Sequence, residues 1–245
     1  MKTAKLAFVS IAAASLFACQ KEAKTKPVYF TETKYEVVAG GYDSTTGLPK
    51  NLEKETVSAN LLAFVDANLR EKQDLRTFNP ALLQNSNTST DLAITKQSDV
   101  YLTFLKAVTD SRNAIAFYTY PTTTPPVSPK EIKTITYVLP SAGVGTKLNA
   151  GDKIKIGNFS PGTSIGLVLM KNAWQPATGA LDNNAIHFCY NDALNPEVDP
   201  NLKKHVVLLN YAAENKIIIG FENSDRTTKE SDHDFNDIML YATIK

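Results

Sequence analysis

Lys216-Ile217-Ile218-Ile219-Gly220-Phe221-Glu222 and Asp237-Ile238-Met239-Leu240-Tyr241-Ala242-Thr243-Ile244 are two apolar runs joined by the polar connection 223–236. Both are too short for an ordinary core helix and rich in β-branched and aromatic residues, which reads as a pair of buried strands. The same pattern repeats toward the N-terminus in Asp99–Lys106, Ala114–Tyr120, Lys133–Leu139, Asp152–Ile156, Ser164–Lys171, Ile186–Tyr190 and His205–Tyr211. Nine short strands with little helix between them predict a mainly β chain, an antiparallel β-sandwich of jelly-roll-like form. Pro121, Pro125, Pro126 and Pro129 interrupt the series. A proline cannot donate to a ladder, so 121–129 is an exposed loop or edge and not a central strand.

Upstream of residue 91 the pattern differs. Gln84–Asp91 is a run of Asn, Ser and Thr and reads as a loop. Before it, Val57, Leu61, Leu62, Phe64, Val65 and Leu69 recur at three- and four-residue steps, which predicts one N-terminal helical segment ending before Asn79-Pro80. Tyr29–Val38 alternates like a strand, and Gly40–Gly47 is dense in turn formers. These boundaries give an export signal over 1–18, a tether over 19–50, a helical segment and loop over 51–90, and the β-sandwich over 91–245.

The first residues carry a second message. Lys2 and Lys5 precede an apolar stretch, Leu6–Ala18, followed at once by polar and charged residues. That is the layout of a secretory signal, and the stretch is shorter than the roughly 20 residues a spanning helix needs. Leu16-Phe17-Ala18-Cys19 resembles the lipobox of bacterial lipoproteins. The resemblance implies cleavage after Ala18 and lipidation of Cys19, including a palmitate-like acyl chain. Each buried CH₂ contributes about 0.8 kcal/mol, so two or three chains anchor a protein stably. Lys21, Glu22, Lys24 and Lys26 partly resemble the signal that carries some lipoproteins to the cell surface. The expected location is the outer membrane, on its periplasmic or surface face, with the membrane as the first partner.

Composition sets outer limits. The chain is 43% hydrophobic and 21% charged, with a formal charge of +1, in the range of a globular protein. No clustered basic face is visible, which argues against a nucleic-acid partner. With Cys19 lipidated, Cys189 in Ile186-His187-Phe188-Cys189-Tyr190 has no disulfide partner and reads as a small buried hydrophobe.

Chemistry concentrates in the connection between the two opening strands. Glu222, Asp225, Asp232, Asp234, Asn236 and Asp237 crowd one turn, and such a cluster repels itself unless a positive charge or protons enter it. Hard cations take six to eight oxygen ligands at roughly 2.3–2.6 Å, and an Asp-x-Asp-x-Asn segment can aim several of them inward, so Ca²⁺ is the expected cofactor. The loop is not an EF-hand, because Asp237 and Thr243 stand at the glycine and glutamate positions and strands flank it. His233 alone among carboxylates does not make a zinc site. Alternation should send Phe235 into the core and Asp234 and Asn236 away from it. The competing reading is a solvated acidic turn satisfied by Arg226, Lys229 or backbone N–H groups.

Several segments together resemble the LruC-type domain of bacterial surface lipoproteins. They are Ser98–Phe104, Arg112-Asn113 with Phe117–Tyr120, Gly166–Trp174, Ile219–Glu222 and Asp232–Asp237. The resemblance spans roughly residues 50–245, and its most specific part is the closing Asp-x-Asp-Phe-Asn-Asp motif. It implies an all-β C-terminal domain in exported or anchored proteins, of unknown function. Asn223 stands where the family has Asp, which removes one negative ligand. Ala116 stands where it favours Gly.

An enzyme is the weaker expectation. Glycosidases set two carboxylates about 5–5.5 Å or 6.5–9.5 Å apart across a sugar-sized cleft, and here the acids crowd one turn. No Gly-x-Ser-x-Gly is present, and His187, His205 and His233 stand in no nucleophile motif. The expected function is a non-enzymatic, lipid-anchored binding or adhesion module for a glycan or a protein. Trp174, Tyr118, Tyr120 and Tyr190 are candidate stacking surfaces, though strand aromatics are more often core. The alternative is a structural envelope or assembly subunit, and a glycan-active hydrolase is a more distant one.

Overall fold

Neighbouring residues of the central strands, such as Ile218 with Ile219 and Val168 with Leu169, are all buried although they point to opposite faces. Each sheet therefore needs a cover on both sides. The computed structural model, which describes residues 30–84 and 92–245, shows where those covers come from. The export signal, Cys19 and nearly all of the 84–91 loop lie outside the described residues.

In chain order the N-terminal elements are β1 (Lys34–Val37), β2 (Glu53–Lys54), helix α1 (Ala59–Asn68) and helix α2 (Leu75–Phe78). The strands β3 (Leu92–Ala93), β4 (Ser98–Ala107), β5 (Ala114–Pro121), β6 (Thr134–Leu139), β7 (Asp152–Phe159) and β8 (Thr163–Lys171) follow. The chain continues through β9 (Trp174–Gln175), β10 (Ala180–Leu181), β11 (Ile186–Cys189), β12 (Val206–Tyr211), β13 (Lys216–Phe221) and β14 (Ile238–Ile244). All nine expected strands are present, with ends shifted by a few residues. The four two-residue strands carry no periodicity and are not foreseeable from sequence. Past Pro121 the chain leaves the ladder in a turn, as the prolines require.

Two sheets stack. One runs β1-β6-β5-β8-β11, with β3 also on β8, and the other runs β12-β13-β14-β4-β7-β2. The second is antiparallel throughout. The first is not, because β1 lies parallel to β6, with Lys34 opposite Thr134 and Val37 opposite Tyr137. A parallel neighbour needs a long crossover, and the chain between β1 and β6 supplies one. Residues 34–37, within the stretch whose alternation predicted a strand inside the tether, are thus an edge strand of the sandwich, and Val38 behind them is buried.

Between the sheets lie Val100, Leu102, Phe104, Ile115, Leu167, Leu169, Ile219, Phe221 and Leu240, contributed by both. The outer face of the first sheet, with Ala116, Tyr118, Tyr137, Val168, Met170 and Cys189, is covered by Phe30, Ile132 and Leu194. The outer face of the second sheet, with Leu105, Val207, Ile218, Met239 and Tyr241, is covered by Leu61, Val65 and Leu69 of the α1 region and by Leu75.

Helix α1 forms where its signals sit. Ser58 caps it by accepting from the Leu61 N–H at 3.0 Å, and Leu61, Val65 and Leu69 fall on one face at four-residue spacing. Leu62, counted with the apolar face in the sequence, is 40% exposed and lies off it.

Gly220 in β13 is where the outer layer comes closest to the sheet. A Cβ there would lie 2.4 Å from the Phe235 carbonyl oxygen and 2.7 Å from Leu69 Cδ1. A backbone carbonyl cannot swing aside as a side chain can. Gly220→Ala is expected to lower stability by about 1–3 kcal/mol, the usual range for an overpacked site. Thermal melting of the variant measures this, and an unchanged midpoint would contradict the close approach.

Candidate metal centre at the β13–β14 connection

Glu222 directly follows β13, and its backbone is held on both sides by His205. The Glu222 N–H donates to the His205 carbonyl at 2.9 Å, and His205 Nδ1 lies 2.9 Å from the Glu222 carbonyl. His205 Nε2 in turn meets Glu197 Oε1 at 2.8 Å, with both side chains fully buried. Both ring nitrogens face acceptors, so the imidazole is fixed in orientation and Glu222 is fixed with it.

The other side of the site is shaped by unusual backbone. His233 and Phe235 adopt φ of +60° and +59°, a left-handed conformation that costs a bulky residue of order 1–3 kcal/mol. Burial of Phe235, which is fully enclosed beneath α1 and beside Leu69, offsets that cost. Phe235 thus points into an apolar layer as expected, but into the one outside the second sheet. Asp234 and Asn236 do not escape to solvent and are buried at 2% and 1% exposure.

Asp234 is enclosed by donors. It accepts from the Lys72 N–H at 2.7 Å, from the Asn236 N–H at 3.1 Å and from Asn236 Nδ2 at 2.9 Å. Lys72 follows α1 with φ of +57°, which turns its N–H toward the acidic loop, and the Leu75 N–H donates to the His233 carbonyl at 3.0 Å. The turn between the two helices is thereby tied to the acidic connection.

Glu222, Asp232 and Asp234 each place one carboxylate oxygen within 4.8 Å of the others, an arrangement that could hold a metal ion. Glu222 and Asp234 are buried and Asp232 is exposed, so the cluster has a closed floor and an open side. Glu222 Oε1 accepts from the Ser224 N–H at 3.3 Å, and Oε2 has no hydrogen-bond partner. Burial, reinforced by the charges of Asp237, Asp232 and Asp234, pushes the Glu222 carboxyl up to about 9. Burial also raises Asp237 to about 7, with Asp234 and Asp232 adding to it and the Asn223 N–H opposing. Asp234 rises to about 6, again chiefly by burial, held back by the Lys72 and Asn236 N–H groups. Acids in this state at neutral pH take up protons or a cation, and the all-oxygen set suits a hard ion over zinc.

The remaining expected ligands hold the loop around this triad. Asp237 Oδ2 accepts from the Asn223 N–H at 2.7 Å, and Asn236 orients Asp234. Asp225 turns to its own tight turn, accepting from the Thr227 N–H at 2.8 Å and hydroxyl at 2.7 Å. Asn223 donates its side-chain amide to Thr109 Oγ1.

Trp174, Tyr118 and Tyr120 lie elsewhere. Trp174 is 5% exposed with Tyr42 edge-on to it, and Tyr118 is 1% exposed with its ring filling the space beside Gly166. Tyr120 is half-buried and stacks on Tyr118 at 6.0 Å, and Tyr190 is also buried. Their rings are mostly buried, and of the four Trp174 also borders a small surface pocket with Arg112 and Pro176. The sequence reading missed Lys72, whose backbone makes its contact, and the buried Glu197–His205 pair, whose members sit in separate segments.

Ser231 Oγ lies 3.2 Å from His233 Nδ1, which invites comparison with a nucleophile and its base. The same nitrogen accepts from Arg226 Nε at 3.1 Å, so its lone pair is already engaged. Burial, followed by the charges of Arg226 and Arg76, lowers this imidazole to about 4, which makes it a poor proton acceptor.

Residues 159–245, from the end of β7 through β14 and including the whole acidic connection, match a domain of unknown function, DUF4114. No curated protein and no solved structure matches the chain. Among the described residues no helix is long and apolar enough to cross a membrane.

The raised acids fix a sign for the pH dependence. Their folded pKa values, about 6, 7 and 9, lie above the ordinary values of 3.8, 3.8 and 4.5, so the folded state binds the extra protons. Stability should therefore be greatest below about pH 4 for these groups and fall as pH rises through their folded values. Melting in EDTA between about pH 5 and pH 8 should show a falling midpoint attributable to this cluster. Asp234→Asn should flatten the slope, and an equal slope in the variant would contradict the assignment.

Proposed function

We propose that this protein is a non-enzymatic, lipid-anchored binding module of the bacterial outer membrane, with its acidic connection set by a calcium ion. The observation that carries the cation is the Glu222–Asp232–Asp234 triad, in which a buried carboxylate oxygen without a partner sits among raised acids. Calcium supplies the charge that would otherwise come from protons, and it accepts the irregular oxygen geometry of a loop. Asp237 and water can complete the coordination shell. The ion would hold the 222–237 connection in the shape that lets Phe235 seal the layer under α1.

Anchoring rests on the apolar leader and the Leu16-Phe17-Ala18-Cys19 motif. An expected glycan or protein ligand would be met at the membrane by the β-sandwich. The absence of nucleophile motifs, together with the engaged Nδ1 of His233, favours binding over catalysis.

Melting of the full chain in EDTA and in millimolar Ca²⁺ tests the cation. A ligand that binds only the folded state at about 100 times its Kd adds about 2.7 kcal/mol, so the midpoint should rise clearly with Ca²⁺. The rise should be larger at about pH 8 than at about pH 5, where protons compete for the same oxygens. Asp234→Ala should abolish the difference and Asp43→Ala should retain it; identical wild-type midpoints with and without Ca²⁺ would sink the metal.

The anchor has its own test. In a bacterial host, the wild-type chain should incorporate radiolabelled palmitate and partition with detergent, whereas Cys19→Ser should do neither. Labelling that survives Cys19→Ser would remove the assignment.

A further inference from the structure

We propose that the cleft between the β13–β14 connection and the 198–202 turn binds an organic oxyanion, a carboxylate or sulfate carried on a compact polar molecule. The cleft has a volume of about 910 Å³, within the range of small-molecule sites. Arg76, Arg226 and Lys229 line it against one acid, Asp199. Asp199 is already committed, accepting from the Asn201 N–H at 2.9 Å.

Arg226 is the unusual member. It is 2% exposed, yet its hydrogen bonds go to the Lys204 carbonyl at 2.9 Å, the Asn201 carbonyl at 3.4 Å and His233 Nδ1, with none to a carboxylate. Its Nη2 has no partner. A buried guanidinium is ordinarily paired with an acid, because the desolvation of its charge is otherwise uncompensated. Glu222 is the acid that acts on it most strongly, but that group is committed to a proton or to the cation. Burial and the like charge of Arg76 both lower the Arg226 pKa from its ordinary value.

The floor of the cleft is therefore positive, Lys229 adds an exposed cation at its rim, and Arg76 adds a second one that is paired with Asp74. Arg76 is held in place by two hydrogen bonds to Asp74 Oδ2, at 2.6 and 2.9 Å, so its position costs a ligand little ordering. Val198, 44% exposed, and Leu202 offer an apolar side for a carbon skeleton, and Ser231 supplies a hydroxyl. Arginine and lysine around an anion with a nearby hydroxyl is the chemistry that recognises carboxylates and sulfates.

Calorimetric titration of the full chain with galacturonate, galactose 6-sulfate and neutral galactose, at matched ionic strength, tests the cleft. At least one anionic sugar should bind and galactose should not, and the stronger of the two identifies the preferred oxyanion. Arg76→Ala with Lys229→Ala removes only exposed side chains, so the fold is kept, and affinity should fall about tenfold or more. Binding should be present in EDTA and in Ca²⁺ alike, which separates this site from the cation. The proposal is overturned if both anionic sugars behave as galactose does, if the double variant retains its affinity, or if binding requires Ca²⁺, which would place the anion on the metal.

Discussion

The central strands of both sheets are buried on both faces, and the rest of the structure answers that constraint. A sandwich covers one face of each sheet by stacking them, but Ile218, Met239 and Tyr241 on one outer face and Val168, Met170 and Cys189 on the other are also apolar. The N-terminal helix region covers the first set, and Phe30, Ile132 and Leu194 cover the second. Residues between Phe30 and Leu75 therefore contribute to the core, even though most of that stretch lacks the strand pattern of the remainder.

The acidic connection is a by-product of the same demand. Phe235 must reach the layer under α1, and it does so through left-handed backbone at residues 233 and 235, with Gly220 making room for its carbonyl. That path carries Asp234 and Asn236 inward with it, against the preference of carboxylates for water. Their neighbours respond in kind: the Lys72 N–H turns toward Asp234, and His205 grips Glu222. The raised acids and the partnerless Glu222 oxygen leave a place that protons or a cation can fill. Strain, burial and charge thus meet in one segment, the usual signature of a functional site.

The same segment has a second face. Arg226, Lys229 and Ser231 lie between Glu222 and Asp234 in sequence, yet they line a cleft with Arg76 and Leu202 while the acids gather around their own centre. Negative and positive groups are sorted to two sides of one loop. A ligand held in the cleft and an ion held at the acids would both bear on the 222–237 backbone, so a binding module built here has its ligand surface and its structural charge on a single element.

The sequence by itself determined the nine principal strands, the helix, and the connection that carries the acidic cluster, while the structure narrowed six candidate ligands to the Glu222, Asp232 and Asp234 triad. Strand periodicity is local, and Glu222, Asp232 and Asp234 belong to one connection, so neither needs long-range contacts to be seen. Only the tertiary structure decided that β1 joins β6 in parallel, that Asp234 and Asn236 are buried, that Trp174 and Tyr118 are mostly buried, and that Arg226 and Arg76 line one cleft. Those facts depend on residues brought together from distant parts of the chain, and on which of two faces a neighbour covers. Alternation marks the two faces of a strand, but a face becomes a core only when another element lies down on it.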